Sequence, residues 1–345
     1  MRVRGHAVGG GRQGESPRHY DLIMPHTQSV TGSFREAAVA PVRVAFIGAT
    51  GRSGSTLLSR VLGTVPGVCS VGELCWLWSY GVLRNRACGC SLPFADCPFW
   101  TGVGARAFGG WEQLDAQRAT ALRRRLTGNA HIPALWTGGR GRFARDLEEY
   151  AGLLSRLYTA IRDESGAEVV VDNSKQSGAA LVTRRAEGVQ LSVVHLVRRS
   201  HGVAYSWTKH VPRSDKGDTE MRRRPPGRTA VKWTMDNALF ETLGRSGTPR
   251  LLVRYEDFVV DPHRQTERLL NFLGVELAPD GLDFMQGDTV DLGVDHSVWG
   301  NPMRLRTGPE RLRPDDAWRD GLAPKTRRLV TALSLPALMR YGYLR

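Results

Sequence analysis

Val42-Arg-Val-Ala-Phe-Ile47 runs straight into Gly48-Ala-Thr-Gly-Arg-Ser-Gly-Ser-Thr56, and Leu57 to Leu62 continue with helical spacing. The β-branched and aromatic run reads as a buried strand, and the glycines after it as a turn. A strand, a glycine-rich turn and a helix opening on hydroxyl residues form an anion cradle, because turn N–H groups and the positive end of the helix dipole converge on one point. Here that point is Arg52-Ser53-Gly54-Ser55-Thr56. The triphosphate-binding version of such a loop ends in Gly-Lys-[Ser/Thr], whereas this chain has Gly54-Ser55-Thr56. The missing lysine disfavours a kinase or ATPase. The bland alternative is a tight turn whose glycines serve packing alone.

Outward from this segment, buried strands are expected at 168–172 (EVVVD), 191–197 (LSVVHLV) and 250–254 (RLLVR). Amphipathic helices are expected at about 145–164, 179–187, 230–243 and 262–272. The last has Asp261 as N-cap, Pro262 at the first helical position and Gly274 just past its end. Strands alternating with helices define an α/β chain with a parallel sheet and helices on both faces. Residues 75–144 break the pattern with Trp76, Trp78, Trp100, Trp111, Trp136 and many glycines, and read as an insertion over one edge of the sheet. Residues 1–41 are rich in Gly, Arg, Ser and His without periodicity and read as a disordered tail, inside which Met24 is an alternative start. The remainder, 42–345, is expected to be one domain.

The 345 residues carry 48 Lys+Arg against 34 Asp+Glu, a net charge of +14, with 41% hydrophobic and 24% charged residues. This is globular composition, which excludes a coiled coil, a collagen or a mucin-like stalk. Only five of the basic residues are Lys, and the arginines are scattered apart from Arg123-Arg124-Arg125 and Arg222-Arg223-Arg224. Without aromatic-basic interleaving or a helix-turn-helix or zinc-finger pattern, a specific nucleic-acid partner is not expected. No run of about 18 apolar residues occurs, and the first thirty residues lack the apolar segment of a secretion signal. A soluble, cytoplasmic location is the expectation.

A second anion site follows the strand at 191–197. In Val193-Val-His-Leu-Val-Arg-Arg-Ser-His-Gly-Val-Ala-Tyr-Ser-Trp207, Arg198 leaves the strand end and Ser206 stands eight positions on, in the following helix. A guanidinium and a hydroxyl so arranged grip one phosphate from two sides. A structural ion pair is the bland reading of Arg198.

Together the two motifs resemble the sulfotransferases that use 3′-phosphoadenylyl sulfate (PAPS). Gly51-Arg-Ser-Gly-Ser-Thr-Leu-Leu58 is similar to that family's 5′-phosphosulfate loop, and the Arg198/Ser206 pair to its 3′-phosphate site. The resemblance implies a P-loop-like three-layer fold. It also implies that Arg52, Ser53, Gly54, Ser55 and Thr56 hold the phosphosulfate, and that Arg198 and Ser206 hold the ribose 3′-phosphate. Lys175, in Val169-Val-Val-Asp-Asn-Ser-Lys175, matches a lysine that offsets charge on the leaving oxygen. Tyr255, in Arg254-Tyr-Glu-Asp-Phe258, matches a residue that contacts the adenine, although packing and capping explain that segment as well. His296-Ser-Val-Trp-Gly-Asn-Pro-Met-Arg304, ahead of Asp316-Ala-Trp318, resembles a loop of bacterial and carbohydrate-type members. Arg304 is thereby expected on the 3′-phosphate side, though turn chemistry alone accounts for Gly300-Asn301-Pro302.

An acceptor hydroxyl or amine must lose a proton. Glu73, in Val71-Gly-Glu73, lies where the tyrosylprotein and carbohydrate branches of the family carry a general base. The aryl and steroid branch instead uses a histidine on the strand that here ends in Asp172. The alternative for Glu73 is a surface or capping carboxylate. His195 sits inside an apolar strand, as a core histidine would, and His201 and His210 flank the phosphate-binding helix.

The implied function is transfer of the PAPS sulfonate to a hydroxyl, phenol or amine of a small molecule or carbohydrate. The rivals are a P-loop nucleotide kinase or NTPase, a non-catalytic phosphate- or nucleic-acid-binding protein, and a PAP-binding member without catalysis. Cys69, Cys75, Cys88, Cys90 and Cys97 cluster, yet the Cys-x-Cys-x6-Cys spacing lacks the paired ladders of a zinc site. Packed thiols or one disulfide are expected there, and no metal is expected to take part.

Overall fold

The computed structural model describes residues 40–211 and 222–344. The expected tail, apart from its last two residues, and Met24 lie outside the described residues.

Five strands form an all-parallel sheet in the order β2-β3-β1-β4-β5. They are β1 (Val42–Ala49), β2 (Val68–Ser70), β3 (Val169–Asp172), β4 (Val189–Val197) and β5 (Arg250–Arg254). After β1 comes α1 (Ser55–Thr64), and after β2 come α2 (Pro98–Phe108), α3 (Ala116–Leu126), α4 (Ile132–Thr137) and α5 (Arg142–Ser165). Helix α6 (Ser177–Thr183) links β3 to β4, while α7 (Ser200–Ser206) and α8 (Pro226–Arg245) link β4 to β5. Helices α9 (Tyr255–Val260) and α10 (Pro262–Leu273) follow β5. A small antiparallel sheet of β6 (Met285–Gln286), β7 (Thr289–Leu292) and β8 (Gly308–Arg311) precedes α11 (Trp318–Gly321) and α12 (Pro324–Arg340).

The central strand reads as a continuous apolar run because both its faces are covered. Val42, Val44 and Phe46 join one core with Val170, Val193, Leu157 and Ile161, while Ala45, Ile47 and Ala49 join another with Leu58, Val61, Val171 and Leu269. Each fully buried side chain of this size contributes roughly 1.5–3 kcal/mol, so the two cores fix the register of β1 from both sides. Gly48 is required by this packing, since a Cβ there would overlap the Phe240 ring. The fold is thus α/β and three-layered, with a central parallel sheet and helices on both faces.

The expected ends of α10 are present: Asp261 accepts the Arg264 N–H at 3.2 Å, Pro262 opens the helix, and Gly274 closes it at φ +67°. Two features differ from expectation. The edge strand β2 has three residues, too few to leave a periodic signal. The 75–144 segment does not merely cover an edge: Trp78 and Trp100 are fully buried in the same core as β1 and α5. Core packing is therefore the role of those two, while Trp76, Trp111 and Trp136 are half-buried around them. Among the described residues no helix is long and apolar enough to cross a membrane.

Candidate active site

Every strand of the parallel sheet ends in a residue singled out by the sequence. Glu73 follows β2, Lys175 follows β3, the Arg52–Thr56 loop follows β1, Arg198 follows β4 and Tyr255 follows β5. The connection leaving β1 runs toward β2 and that leaving β4 runs toward β5, so the sheet's switch point lies between β1 and β4. Open α/β sheets bind ligands outside the carboxyl ends of their strands at such a point. The Arg52 loop and Arg198 flank it.

Arg198 is buried and donates to the Arg52 carbonyl at 3.1 Å and to Asp315 at 2.7 Å. Its guanidinium lies 4.8 Å from the centre of the Tyr255 ring. The same ring packs on Gly54, which caps α1 at φ +85°, so a Cβ there would overlap it. Two strand ends and the loop are therefore locked into one surface by Arg198 and Tyr255. The Arg52 guanidinium is 5.4 Å from the Trp207 ring, and Trp207 donates its indole N–H to the Gly51 carbonyl at 3.0 Å. Arg224, from the Arg222–Arg224 cluster, lies over the same Trp207 ring at 4.2 Å. Arg52 and Lys175 both adopt positive φ, +76° and +64°, without being glycine. Such backbone strain costs of order 1–3 kcal/mol and concentrates at functional sites.

Lys175 Nζ meets Glu73 Oε1 at 2.6 Å, with both side chains largely shielded from solvent. Two loops hold this pair. On one side, buried Asp172 accepts from the Ser174 N–H at 2.8 Å and the Tyr158 hydroxyl at 2.6 Å, and the Ser174 hydroxyl accepts the Cys75 N–H at 2.9 Å. Burial pushes the Asp172 carboxyl above its usual range, against those hydrogen bonds. On the other side, the Glu73 N–H donates to the Trp299 carbonyl at 3.1 Å, and a Cβ on Gly300 would lie 3.4 Å from Glu73 Oε1. Residues 295–304 thus form a strap over Glu73. A six-residue π-helix, Leu77–Val82, follows Glu73, and its Tyr80 stacks on Trp299 at 3.7 Å.

Three sequence-nominated residues stand differently. The Ser53 hydroxyl is buried and donates to the Thr50 carbonyl at 2.7 Å, so it shapes the loop from within. Arg304 is 2% exposed and donates to the Ser297 carbonyl at 3.2 Å, bracing the strap from inside. Ser206 ends α7, and the groups bonded to Arg198 do not include it. Ser55 is buried at the start of α1 and Thr56 half-buried beside it. Asn301 accepts the Met303 N–H at 3.0 Å, the turn chemistry read from Gly300-Asn301-Pro302.

The sequence reading missed Asp315, Arg60 and Trp207. Asp315 stands one residue before the quoted Asp316-Ala-Trp318 and carried no signal of its own. Burial pushes its carboxyl up, but Arg198 prevails and holds it below the usual range. Arg60, 2% exposed on α1, donates to the carbonyls of Met303, Arg304 and Arg306 at 3.0, 3.0 and 2.7 Å and pairs with buried Asp295 at 3.2 Å. The strap is therefore nailed to α1 behind the Arg52–Thr56 loop.

None of the candidate histidines faces Glu73. His195 is fully buried, accepting from Arg250 at Nδ1 and donating from Nε2 to Asn237 Oδ1, both at 2.9 Å. His201 bonds Thr331 on α12, and His210 meets Arg223 at the surface. Burial pushes His195 and His201 down to about 4. In the unfolded chain each titrates near 6.5, so their neutral burial stabilises fully above about pH 6.5 and is lost as pH falls toward 4. Unfolding measured across that window should take up one proton per histidine, and His195→Asn should remove one from the slope. An unchanged slope in the variant would contradict the assignment.

The five cysteines are free, so of the two expected states they take packed thiols and not the disulfide. Cys69 and Cys75 stand alone, with burial raising their thiols to about 11 and about 12. Among the described residues an open concavity of about 800 Å³ lies around Arg118, Glu149 and Arg185, and its lining contains no motif residue.

No family model and no curated protein matches the chain. Among solved structures it is similar to the sulfotransferase domain of the Synechococcus PCC 7002 olefin synthase, at 22% identity over 86% of this chain and 95% of that one, TM-score 0.47. The sulfotransferase domain of the curacin biosynthetic pathway matches at 19% identity over 85% and 98%, TM-score 0.46. A sulfotransferase from Mycobacterium tuberculosis matches at 18% identity over 70% of each chain, TM-score 0.41.

Proposed function

We propose that this protein is a PAPS-dependent sulfotransferase acting on a hydroxyl, phenol or amine of a small molecule or carbohydrate. The observation that carries the reading is the convergence of five strand ends. An anion loop and a clamped arginine flank the switch point, and a carboxylate–ammonium pair lies on the neighbouring ends. The reading rests on the chain's own residues and on the motif resemblance.

In this assignment the N-terminal amides of α1, with Arg52, Ser55 and Thr56, hold the 5′-phosphosulfate on the positive end of the helix. Arg198 and Ser206 receive the 3′-phosphate, and Tyr255 offers the adenine a ring face beside Gly54. Ser53 and Arg304 act through the loops they brace. The acceptor oxygen or nitrogen attacks sulfur in line, the bond from sulfur to the bridging oxygen breaks, and PAP leaves. Glu73 takes the acceptor proton and Lys175 offsets charge on the departing oxygen. Catalysis of this type comes mainly from positioning and charge stabilisation. The ion pair between Glu73 and Lys175 keeps both groups at the reacting centre before substrates arrive.

Thermal unfolding with PAP, adenosine 5′-phosphosulfate, ATP plus magnesium, and a DNA oligonucleotide tests the donor site. A ligand at a hundredfold excess over its Kd stabilises the folded state by about 2.7 kcal/mol. PAP is expected to raise Tm well above the others. A larger shift with ATP or DNA would favour a nucleotide kinase or a nucleic-acid binder instead.

A further inference from the structure

The insertion and the strap meet at four side chains that the transfer reaction does not use. Cys88, Cys90, Cys97 and His296 place their ligand atoms all within 4.8 Å of one another. The Cys97 sulfur lies 3.6 Å from each of the Cys88 and Cys90 sulfurs, and His296 Nδ1 lies 3.3 Å from Cys97 and 3.7 Å from Cys88. A disulfide needs its sulfurs about 2.05 Å apart. A tetrahedral zinc centre, with Zn–S of about 2.3 Å and Zn–N of about 2.0–2.1 Å, sets its sulfurs about 3.8 Å apart and each about 3.6 Å from the imidazole nitrogen. The four separations of 3.3–3.7 Å are close to the second geometry and far from the first, and the remaining pairs stay within 4.8 Å.

The backbone is arranged for thiolates as well. The backbone amides of Cys90, Leu92 and Trp100 lie beside the sulfurs of Cys88, Cys90 and Cys97 respectively and favour their thiolate forms, although no side-chain cap bond closes at Cys97. Cys97 caps the N-terminus of the eleven-residue α2, whose dipole favours negative charge. Neutral thiols packed for their volume alone would not call for three converging donors. Cys88-Gly89-Cys90 is bent into a tight turn by the Ser91 N–H to Cys88 carbonyl bond of 2.9 Å, with Ser91 held at φ +69°.

The fourth ligand is supported from outside the metal position. The His296 ring stacks on Phe99 at 4.6 Å, and its carbonyl accepts the Trp100 indole N–H at 2.9 Å. Gly89 donates to the Ser297 carbonyl at 3.0 Å and sits so close that a Cβ on it would overlap Asp295. Such outer contacts orient metal ligands and are part of what makes a site.

We propose that Cys88, Cys90, Cys97 and His296 bind one zinc ion in a closed structural site that staples the insertion to the strap. Four protein ligands leave no open position for substrate, so the ion does not take part in the transfer. Three thiolates and one neutral imidazole match a soft, tetrahedral divalent cation. The ion's role is mechanical: His296 stands three residues before Trp299, whose carbonyl holds the Glu73 backbone.

Metal analysis of the full chain, purified without chelator and desalted, tests this independently of any transfer activity. One zinc per chain is expected, and exchange with Co²⁺ should give the intense visible bands of a tetrahedral thiolate centre. His296→Ala and Cys90→Ser should lower zinc affinity at least about tenfold, while Cys69→Ser should keep one zinc. Should the variants fail to fold, the cobalt spectrum and zinc stoichiometry of the unaltered chain still decide. A chain that folds with the same Tm whether or not zinc is supplied, and holds none, would overturn the proposal. So would alkylation under non-reducing conditions that finds fewer than five free thiols in the zinc-stripped protein, or loss of zinc from Cys69→Ser.

Discussion

Glu73→Gln is expected to lower turnover by about 10²–10⁴-fold, the usual contribution of a positioned general base, while PAP binds as before. The amide keeps the shape of the side chain but cannot accept the acceptor's proton. Its backbone remains held by the Trp299 carbonyl, so the strap stays in place. The 2.6 Å ion pair with Lys175 is lost, but Lys175 is still held by the Asn173 carbonyl at 3.1 Å. The measurement is a pair of numbers: kcat with labelled PAPS and a suitable acceptor, and Kd for PAP by calorimetry. Near-normal kcat would move the base elsewhere. A collapse of PAP affinity would instead make Glu73 a structural carboxylate of the donor site.

Arg198→Ala is expected to raise the KM for PAPS by about 10- to 100-fold and leave the KM of the acceptor nearly unchanged. A hydrogen bond to a charged group contributes about 1.5–3 kcal/mol, and this guanidinium also ties Arg52 to Tyr255. In the ligand-free chain its anionic partner is Asp315, at 2.7 Å, with Lys209 at 4.0 Å from the same carboxylate. In the proposed assignment an incoming 3′-phosphate competes with that carboxylate. Asp315→Asn should therefore shift PAP binding in the opposite direction, toward tighter Kd, unless the pair's sole work is to hold the 315–318 turn. An unchanged KM for PAPS in Arg198→Ala would remove the 3′-phosphate assignment, leaving Arg198 as an ion pair within the fold.

Much of the architecture was legible because it rests on local physics. The apolar run of β1 and the glycine turn after it announce a buried strand feeding a helix, and Asp261, Pro262 and Gly274 mark both ends of α10 through capping chemistry. Strands β3, β4 and β5 announced themselves by the same buried runs. What failed to register was short or antiparallel: β2 with three residues and the sheet of β6, β7 and β8, whose two- to four-residue strands carry no period. The 75–144 segment stood out by composition, but composition does not say which face of a sheet a tryptophan will fill.

The sequence by itself determined the parallel α/β layout and nominated Arg52, Lys175, Arg198 and Tyr255 one at a time after readable strands, and Glu73 through its place in the family resemblance, since β2 left no run to read. Only the tertiary structure decided which of them touch. The Glu73–Lys175 pair exists because β2 and β3 are neighbours in the sheet, and the Arg198–Asp315 pair because a turn 117 residues later folds back over β4. The same reason explains the cysteines. Three thiols spaced for no recognisable metal motif become a four-ligand set when a histidine 199 residues away is carried to them by the strap. Sequence patterns report interactions within a helix or strand, whereas the chain's return from a distance is fixed by core packing, and that is settled only when the whole fold closes.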